Sequence, residues 1–309
     1  MKWLALATLV FAAQEEKVLR LGMIGLDTSH VIAFTELLNN TKNSSHVPGA
    51  RVVCGFKGGV DNFTKQLQEK YGVEILDSIE KLVEKVDAVL VMSVDGRPHL
   101  EQVKPAFAAK KRVFIDKPMA GTYAQGKEIA RLSKESGSPF FSASSVRFSE
   151  SIVKTRTDPA VGKILGCETD SACSLEPHHP DLFWYGVHGV EALFSVMGVG
   201  CESVRRVHTP DFDVVVGKWK DGRLGTFRGS RKGASAYGAT VYGDKGVRTS
   251  IGMKGDNSYR NLVVEIVKFF KGGEPPVSPE EMLEVLGFMQ AADLSKQRAG
   301  AEVRLSELD

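Results

Sequence analysis

The segment from residue 178 to residue 191 concentrates side chains that could bind a metal ion or transfer a proton. It holds three of the chain's seven histidines together with two carboxylates. His188 and Glu191 lie one helical turn apart, which places both on one face of a helix, and His178 or Asp181 could complete a metal site. No recurring metal-ligand motif is present, so the sequence favours a metal-free segment in which Glu191 pairs with a basic neighbour.

A glycine turn after the first expected strand is a candidate dinucleotide site, because such a turn presents helix amides to a pyrophosphate. Gly25 can serve as the first glycine of the fingerprint, but Asp27 and His30 stand where the second and third are expected. An aspartate there adds bulk and negative charge beside the phosphates, which would weaken cofactor binding. Alternatively, Asp27 caps the following helix by accepting the amide hydrogen of Ser29 or His30. The candidate cofactor-binding residues of this turn are Gly22, Gly25, Asp27, Thr28, Ser29 and His30.

The end of the second expected strand bears on the type of dinucleotide. A carboxylate for the ribose 2′-hydroxyl is usual at this position, but the sequence has Lys57 followed by two glycines. Lys57 could bind the 2′-phosphate of NADP, or it could be a surface lysine in a glycine-rich loop. The sequence therefore leaves NAD and NADP open.

The elements that must position these residues form two groups. Short β-branched runs alternate with amphipathic helical stretches up to residue 140, which predicts a parallel sheet with crossover helices, buried on both faces. Expected strands are 18–24, 51–56, 73–76, 88–93 and 112–115, and expected helices are 31–39, 61–71 and 79–86. Beyond that point, long alternating strands at 164–174 and 214–227 and helices at 185–197 and 280–296 predict a second domain. The predicted class is α/β, with a Rossmann domain at 18–140 and an α/β substrate-binding and oligomerisation domain with a large, mostly antiparallel open sheet at 141–309.

The N-terminus predicts a cleavable export signal. Met1 and Lys2 precede an apolar run from Trp3 to Ala13, and polar and acidic residues follow at once. The run is too short to span a bilayer, and no twin arginine is present. We therefore expect residues 1–13 to be a Sec-type signal peptide and the mature chain to be periplasmic or secreted; a hydrophobic N-terminal arm or strand is the alternative.

Charge and cysteine content narrow the classes of partner and fold. Lysine and arginine total 40 against 38 acidic residues, a balance with no footprint for nucleic acid or for an anionic membrane surface. Small neutral molecules are thus the expected ligands.

Cys167 and Cys173, on one expected strand, lie too far apart to form a disulfide. All four cysteines, which include Cys54 and Cys201, are expected to be packing residues.

Several short motifs occur in a fixed order between residues 88 and 120. An apolar strand ends at Ser93, Arg97-Pro98-His99 follows, and a second apolar strand ends in Asp116-Lys117-Pro118. This order resembles the Gfo/Idh/MocA family, named for glucose-fructose oxidoreductase and inositol dehydrogenase, which has a strand, a histidine opening a helix and a Glu-or-Asp-Lys-Pro signature at these intervals. The resemblance continues at Arg147-Phe148, Gly162-Lys163-Ile164, Gly186-Val187-His188 and 291–303, and so covers nearly the whole mature chain.

The resemblance implies hydride transfer between NAD or NADP and a sugar or polyol. Lys117 resembles the family lysine between nicotinamide and substrate hydroxyl, and His188 resembles the histidine that takes the hydroxyl proton. The family usually has an aspartate four residues before this histidine, where this chain has Trp184; Asp181 or Tyr185 could replace it. The implied catalytic residues are Lys117, His188 and Tyr185, the further cofactor contacts are Ser93, His99, Asp116, Lys117 and Pro118, and the substrate contacts are Arg147, Asp181, Trp184, Tyr185 and His188.

Three functions remain open at this stage. The first is an NAD(P)-dependent oxidoreductase acting on a sugar, a polyol or a sugar derivative. The second is an NAD-dependent glycoside hydrolase or lyase with a closed redox cycle, which would suit export because no free cofactor is consumed. The third is a non-catalytic carbohydrate-binding member of the family, suggested by Asp27, His30 and Trp184. A homo-oligomer, dimer or tetramer, is expected from family habit and symmetry preference.

Overall fold

The computed structural model describes residues 17–177, 179–252 and 256–308. The expected signal peptide at 1–13 and the candidate ligand His178 lie outside the described residues. The strands are β1 (Leu19–Leu26), β2 (Ala50–Asp61), β3 (Glu74–Ile75), β4 (Ala88–Val91), β5 (Arg112–Asp116), β6 (Phe140–Ala143), β7 (Ile164–Ala172), β8 (Cys201–His208), β9 (Phe212–Trp219), β10 (Leu224–Ser230), β11 (Gly238–Gly243), β12 (Val247–Ile251) and β13 (Val303–Arg304). The helices are α1 (Ser29–Asn39), α2 (Thr64–Tyr71), α3 (Ile79–Lys85), α4 (His99–Ala108), α5 (Tyr123–Ser136), α6 (Glu150–Thr157), α7 (Asp181–Trp184), α8 (Gly186–Met197), α9 (Ser258–Phe270) and α10 (Pro279–Gln297). Within this described part of the chain, no helix is long and apolar enough to cross a membrane.

The first domain is a six-stranded parallel sheet in the order β3-β2-β1-β4-β5-β6. All four residues of β4 are buried, as expected for a sheet covered on both faces. The Rossmann prediction is therefore confirmed. The parallel sheet extends three residues past the expected boundary at residue 140, because β6 pairs with β5 as far as Ala143.

A helix from the C-terminal half completes the core of the first domain. Helix α9, which has no counterpart among the expected helices, packs against α1 and β5. The ring of Phe269 lies edge-on to Phe141 with centroids 5.0 Å apart, and Phe141 in turn contacts Phe114 at 5.1 Å. The aromatic contacts continue from Phe114 to Phe34 in α1. The predicted division at residues 18–140 and 141–309 therefore lies close to the border between the two sheets, but the hydrophobic core of the first domain includes residues from both sides of it.

The second domain is a seven-stranded sheet in the order β12-β11-β7-β10-β9-β8-β13. Within the described part of this second sheet, β7 and β10 form the only parallel pair. The expected mostly antiparallel sheet is therefore confirmed. Helices α8 and α10 pack on one face. The single strand expected at 214–227 is instead the hairpin of β9 and β10, because Asp221 and Gly222, with φ +87°, turn the chain between them.

The cysteines are packing residues, as the sequence predicts. Cys54, Cys167, Cys173 and Cys201 are all buried and none forms a disulfide. Burial raises the pKa of Cys54 to about 11, and that of each of the other three thiols to about 12. The thiols therefore stay protonated and inert at neutral pH.

Candidate active site

A cavity of about 340 Å³ lies where the carboxyl end of the parallel sheet meets the second domain. Ligand sites of open α/β sheets are found at this edge. Its lining combines the turn after β1 with the ends of other elements, and includes Asp27, Thr28, Ser29, His30, Lys117, Trp184, Tyr185, His188, Tyr237 and Tyr259. The tertiary structure thus brings together eight of the sequence-predicted site residues, which come from 27–30, from Lys117 and from 184–188.

The turn after β1 requires glycine at position 25. Gly25 has φ +81°, and an added Cβ would lie 2.2 Å from Ser93 Oγ and 2.5 Å from Ser93 N. The close approach leaves the amino end of α1 open to the cavity, where Thr28 and Ser29 form part of the lining. Gly22 serves a different purpose from the one predicted, since its Cβ would lie 2.3 Å from Leu82 Cδ2. Gly22 thus permits α3 to pack on the sheet, and it is outside the cavity lining.

Asp27 does not cap α1, contrary to the alternative raised from the sequence. The N-cap is Thr28, whose Oγ1 accepts a hydrogen bond from His30 N at 3.4 Å. Asp27 Oδ1 accepts instead from Val94 N at 2.9 Å and so ties the turn to the chain after β4. Burial raises the pKa of Asp27, and the hydrogen bond from Val94 N offsets part of the rise.

His30 forms a buried pair with Asp116 at the floor of the cavity. The distance from His30 Nδ1 to Asp116 Oδ2 is 2.7 Å, and the two side chains are 8% and 1% exposed. Phe34 stacks on the imidazole at 5.6 Å and Tyr259 meets it edge-on at 5.0 Å. Burial acts to raise the pKa of Asp116, but His30 and Lys117 outweigh it and lower this pKa below its ordinary value.

Lys117 brings a buried cation to the same cavity. Lys117 is 6% exposed, and its Nζ has no hydrogen-bond partner among the described residues. Nζ lies 6.0 Å from the ring centroid of Trp184 and 5.8 Å from that of Tyr185. Burial lowers the pKa of Lys117, although the Asp116 carboxylate opposes this. The peptide bond from Lys117 to Pro118 is cis, and Pro118 is outside the cavity lining.

His188 projects into the cavity from the first turn of α8. Its Nδ1 is 2.7 Å from Ser144 Oγ, and the rings of Tyr185 and Tyr237 meet the imidazole edge-on. Burial lowers the pKa of His188 well below its ordinary range, and the nearby cation of Lys117 lowers it further. His188 is therefore a neutral imidazole at physiological pH, which can accept or donate a hydrogen bond.

Ser93 and His99 support the site from outside the cavity lining. His99 is fully buried, with Nε2 2.9 Å from Ser93 O and Nδ1 3.2 Å from Met119 O. Ser93 Oγ exchanges hydrogen bonds with the Gln102 side chain. These contacts join the end of β4 to the loop that carries Lys117, and the cofactor contacts of Ser93 and His99 stay predictions.

Arg147 and Asp181, predicted to bind substrate, belong to buried ionic networks instead. Arg147 donates to Glu191 Oε2 at 2.8 Å and also to Glu281. Asp181 Oδ2 accepts from Arg206 at 3.0 Å and from Lys296 at 2.7 Å. Each side chain pairs with an opposite charge and lies outside the cavity lining, so their contact with a substrate stays a prediction.

Glu191, a candidate metal ligand, is paired with a basic neighbour. Glu191 pairs with Arg147, the basic neighbour that the sequence could not name, while His188 contacts Ser144. Burial raises the pKa of Glu191, although Arg147 opposes the shift. No cluster of three or more metal-ligating side chains occurs in the part of the chain that the structure describes.

Lys57 lies in an exposed bulge of β2. The pairing of β1 with β2 passes from Ile24–Phe56 to Leu26–Asp61, so three extra residues of β2 loop outward here. Gly58, with φ +78°, returns the chain beside Gly25. Lys57 itself is exposed and outside the cavity lining, which leaves the choice between NAD and NADP open.

The residues around the cavity fit a dinucleotide. The left-handed Gly25 opens the amino end of α1, where Thr28 and Ser29 would hold a pyrophosphate. The ammonium of Lys117, which has no hydrogen-bond partner in the described part of the chain, lines the cavity where the nicotinamide and a polar substrate would meet. Asp27 is the one charged departure from the usual fingerprint, and its Oδ1 is occupied by Val94 N.

Comparisons with known proteins agree with this geometry. Residues 19–144 match the Gfo/Idh/MocA family, described as an oxidoreductase family with an NAD-binding Rossmann fold. The chain is 28% identical over 298 residues to myo-inositol 2-dehydrogenase of Thermotoga maritima, covering 79% of this chain and 88% of the relative.

Solved structures share the fold of both domains. A probable dehydrogenase from Thermotoga maritima superposes with a TM-score of 0.79 at 24% identity, covering 94% of this chain and all 100% of the other. The apo scyllo-inositol dehydrogenase of Lactobacillus casei gives 0.79 at 15% identity, covering 95% and 100%. GenD2 from gentamicin A biosynthesis, solved in complex with NAD, gives 0.79 at 16% identity, covering 96% and 99%.

Proposed function

We propose that this chain, whose residues 19–144 match the Gfo/Idh/MocA oxidoreductase family with its NAD-binding Rossmann fold, is an NAD(P)-dependent oxidoreductase that oxidises a hydroxyl-bearing carbon of a sugar or polyol. The observation that carries the proposal is the convergence of Lys117 and His188 on the cavity that the glycine turn opens. These residues come from the two domains and meet at the sheet edge where a nicotinamide would lie.

The two residues divide the work at the reacting hydroxyl. Lys117 donates a hydrogen bond to the substrate oxygen and stabilises the negative charge that develops there, an effect strengthened by its burial. His188 is neutral and contacts the same hydroxyl as a hydrogen-bond acceptor. A bound nicotinamide would supply the acceptor for the hydride. The ring centroids of Trp184 and Tyr185 lie 6.0 and 5.8 Å from the Nζ of Lys117.

The lining suits an uncharged, hydroxyl-rich ring. Trp184, Tyr185 and Tyr237 offer faces on which a sugar or cyclitol ring can stack, together with hydroxyl groups that can hydrogen-bond to it. The similarity to a myo-inositol 2-dehydrogenase supports the same class of substrate. myo-Inositol is therefore the first substrate to test, followed by scyllo-inositol and glucose.

The first experiment asks whether the chain carries a dinucleotide. The chain is expressed without residues 1–13, on the proposal that they form an export signal, and the purified protein is denatured to release any bound NAD(H) or NADP(H). The protein is also assayed for NADH or NADPH formation with myo-inositol. Lys117→Met is the matched control because it removes the ammonium but keeps the length of the side chain.

The outcomes separate the three candidate functions. Polyol-dependent NADH formation that is lost in the control variant supports the oxidoreductase. Retained cofactor with cleavage of an aryl glycoside and no net NADH would favour the closed redox cycle instead. If the protein retains no dinucleotide and binds none at millimolar concentration, the redox proposal fails and a carbohydrate-binding role takes its place.

A further inference from the structure

The candidate active site contains a second imidazole that the fingerprint of its family does not supply. His30 stands where the third glycine of a dinucleotide turn is expected, yet its side chain lies inside the cavity with Lys117 and His188. The chain also lacks a carboxylate at position 184, four residues before His188. The site has therefore lost one ionisable group and gained another.

We propose that His30, held by Asp116, is a second acid–base catalytic residue of this cavity and is the final acceptor of the proton that the substrate hydroxyl loses. The inference rests on the proposed oxidoreductase function. The O–H and C–H bonds of the substrate break: the O–H electron pair forms the second bond of the carbonyl, and the hydrogen of the C–H bond would leave as hydride to the oxidised nicotinamide that the proposed function requires. The proton forms a new N–H bond at His30 Nε2.

The contact with Asp116 determines which ring nitrogen of His30 is left as a hydrogen-bond acceptor. An ionised carboxylate can only accept hydrogen bonds, and one of its oxygens lies 2.7 Å from Nδ1. Nδ1 therefore carries the hydrogen, and the lone pair is on Nε2. Asp116 is itself held in place, because its other oxygen accepts from Lys117 N at 2.9 Å.

His188 lacks this support. Its Nδ1 contacts the Ser144 hydroxyl, which can donate or accept and so does not select one tautomer. Protonated His188 would be buried beside the Lys117 cation without a carboxylate in contact. Protonated His30 would be in contact with Asp116, which makes His30 the better final site for the proton.

The charged and titratable groups around His30 agree with this division. They are Asp27 on its own turn, Asp116 and Lys117 at the end of β5, His188 on α8 and Tyr259 on α9. Asp116 is the carboxylate in contact with the imidazole, whereas Asp27 Oδ1 accepts from Val94 N. The stacked ring of Phe34 keeps the imidazole plane fixed.

The first test is nitrogen NMR of the histidine-labelled chain, which needs neither cofactor nor substrate. At pH 8 the Nε2 signal of His30 should be that of an unprotonated imidazole nitrogen, and Asp116→Asn should abolish this preference because an amide can also donate to Nδ1. An Nε2 that carries the hydrogen in the wild-type chain at pH 8 would overturn the proposal. This result is independent of whether the chain proves to be an oxidoreductase.

The second test is the rate of myo-inositol oxidation. His30→Asn should lower kcat by about 10²–10⁴-fold, the range expected when an acid–base group is removed. The affinity for NADH, measured by fluorescence, should stay within about threefold in His30→Asn. His46→Asn, whose ring contacts Leu37 O away from the cavity, is the matched control.

The kinetic results can also overturn the proposal. A His30→Asn variant with a kcat within threefold of wild type leaves His30 without a catalytic role. If wild type binds NADH but oxidises none of the tested polyols, the proposed substrate class has failed, and the NMR test still decides the state of His30.

Discussion

Replacing Gly25 with alanine measures how closely the dinucleotide turn must approach β4. Gly25 has φ +81°, and a Cβ there would lie 2.2 Å from Ser93 Oγ and 2.5 Å from Ser93 N. A residue with a side chain in the left-handed region costs about 1–2 kcal/mol. Displacing the buried backbone of Ser93 adds about 1–3 kcal/mol. We therefore expect Gly25→Ala to lower the free energy of unfolding by about 2–5 kcal/mol.

Gly72→Ala is the matched control, because it has the same backbone strain without the contact. Gly72 has φ +64° at the end of α2, and an added Cβ would meet nothing within 4 Å. The expected loss is about 1–2 kcal/mol. Urea unfolding followed by tryptophan fluorescence compares the two variants with wild type. If Gly25→Ala loses no more stability than Gly72→Ala, the reasoning that the turn presses against β4 is wrong.

Three further substitutions test the charges of the interior. Lys117→Met should reduce polyol oxidation at least about 100-fold without lowering the melting temperature. The reason is that the buried ammonium has no hydrogen-bond partner among the described residues. A lower melting temperature with full activity would contradict this prediction. Arg147→Met should lower the free energy of unfolding by about 3–5 kcal/mol, since Glu191 and Glu281 would lose their buried cation, and an unchanged urea midpoint would refute it. Burial beside another carboxylate raises the pKa of Asp293 from 3.8 to about 7. The native state thus holds this proton more tightly, and stability should fall by up to roughly 1.4 kcal/mol per pH unit as pH rises from about 4 to 7. Asp293→Asn should flatten the urea midpoint over that range relative to wild type.

Much of the fold follows from local sequence patterns. Apolar runs without alternation mark β1, β4 and β5 as strands buried on both faces. These signals act within a few residues, so one chain segment is enough to recognise them. The order of the weak motifs along the chain also predicts the family resemblance, because each motif marks the end of a particular element.

The positions of the catalytic candidates are also partly local. Lys117 comes directly after β5, and the carboxyl ends of parallel strands meet at one edge of the sheet, where ligands bind. His188 lies in the first turn of α8 and follows the aromatic pair at 184 and 185. For these residues the family order and the element boundary both point to the cavity.

The amino-acid sequence by itself determined the two-domain α/β class, the glycine turn and the candidates at the strand ends. Only the tertiary structure decided which charged side chains pair with each other. Asp116 is 86 residues from His30 in the chain, and Arg147 is 44 from Glu191, so no local pattern connects them. A buried charge takes the opposite charge that packing brings within reach, because leaving it unpaired costs several kcal/mol. That choice depends on the whole core, and it placed Arg147 and Asp181 in the interior and His30 in the cavity.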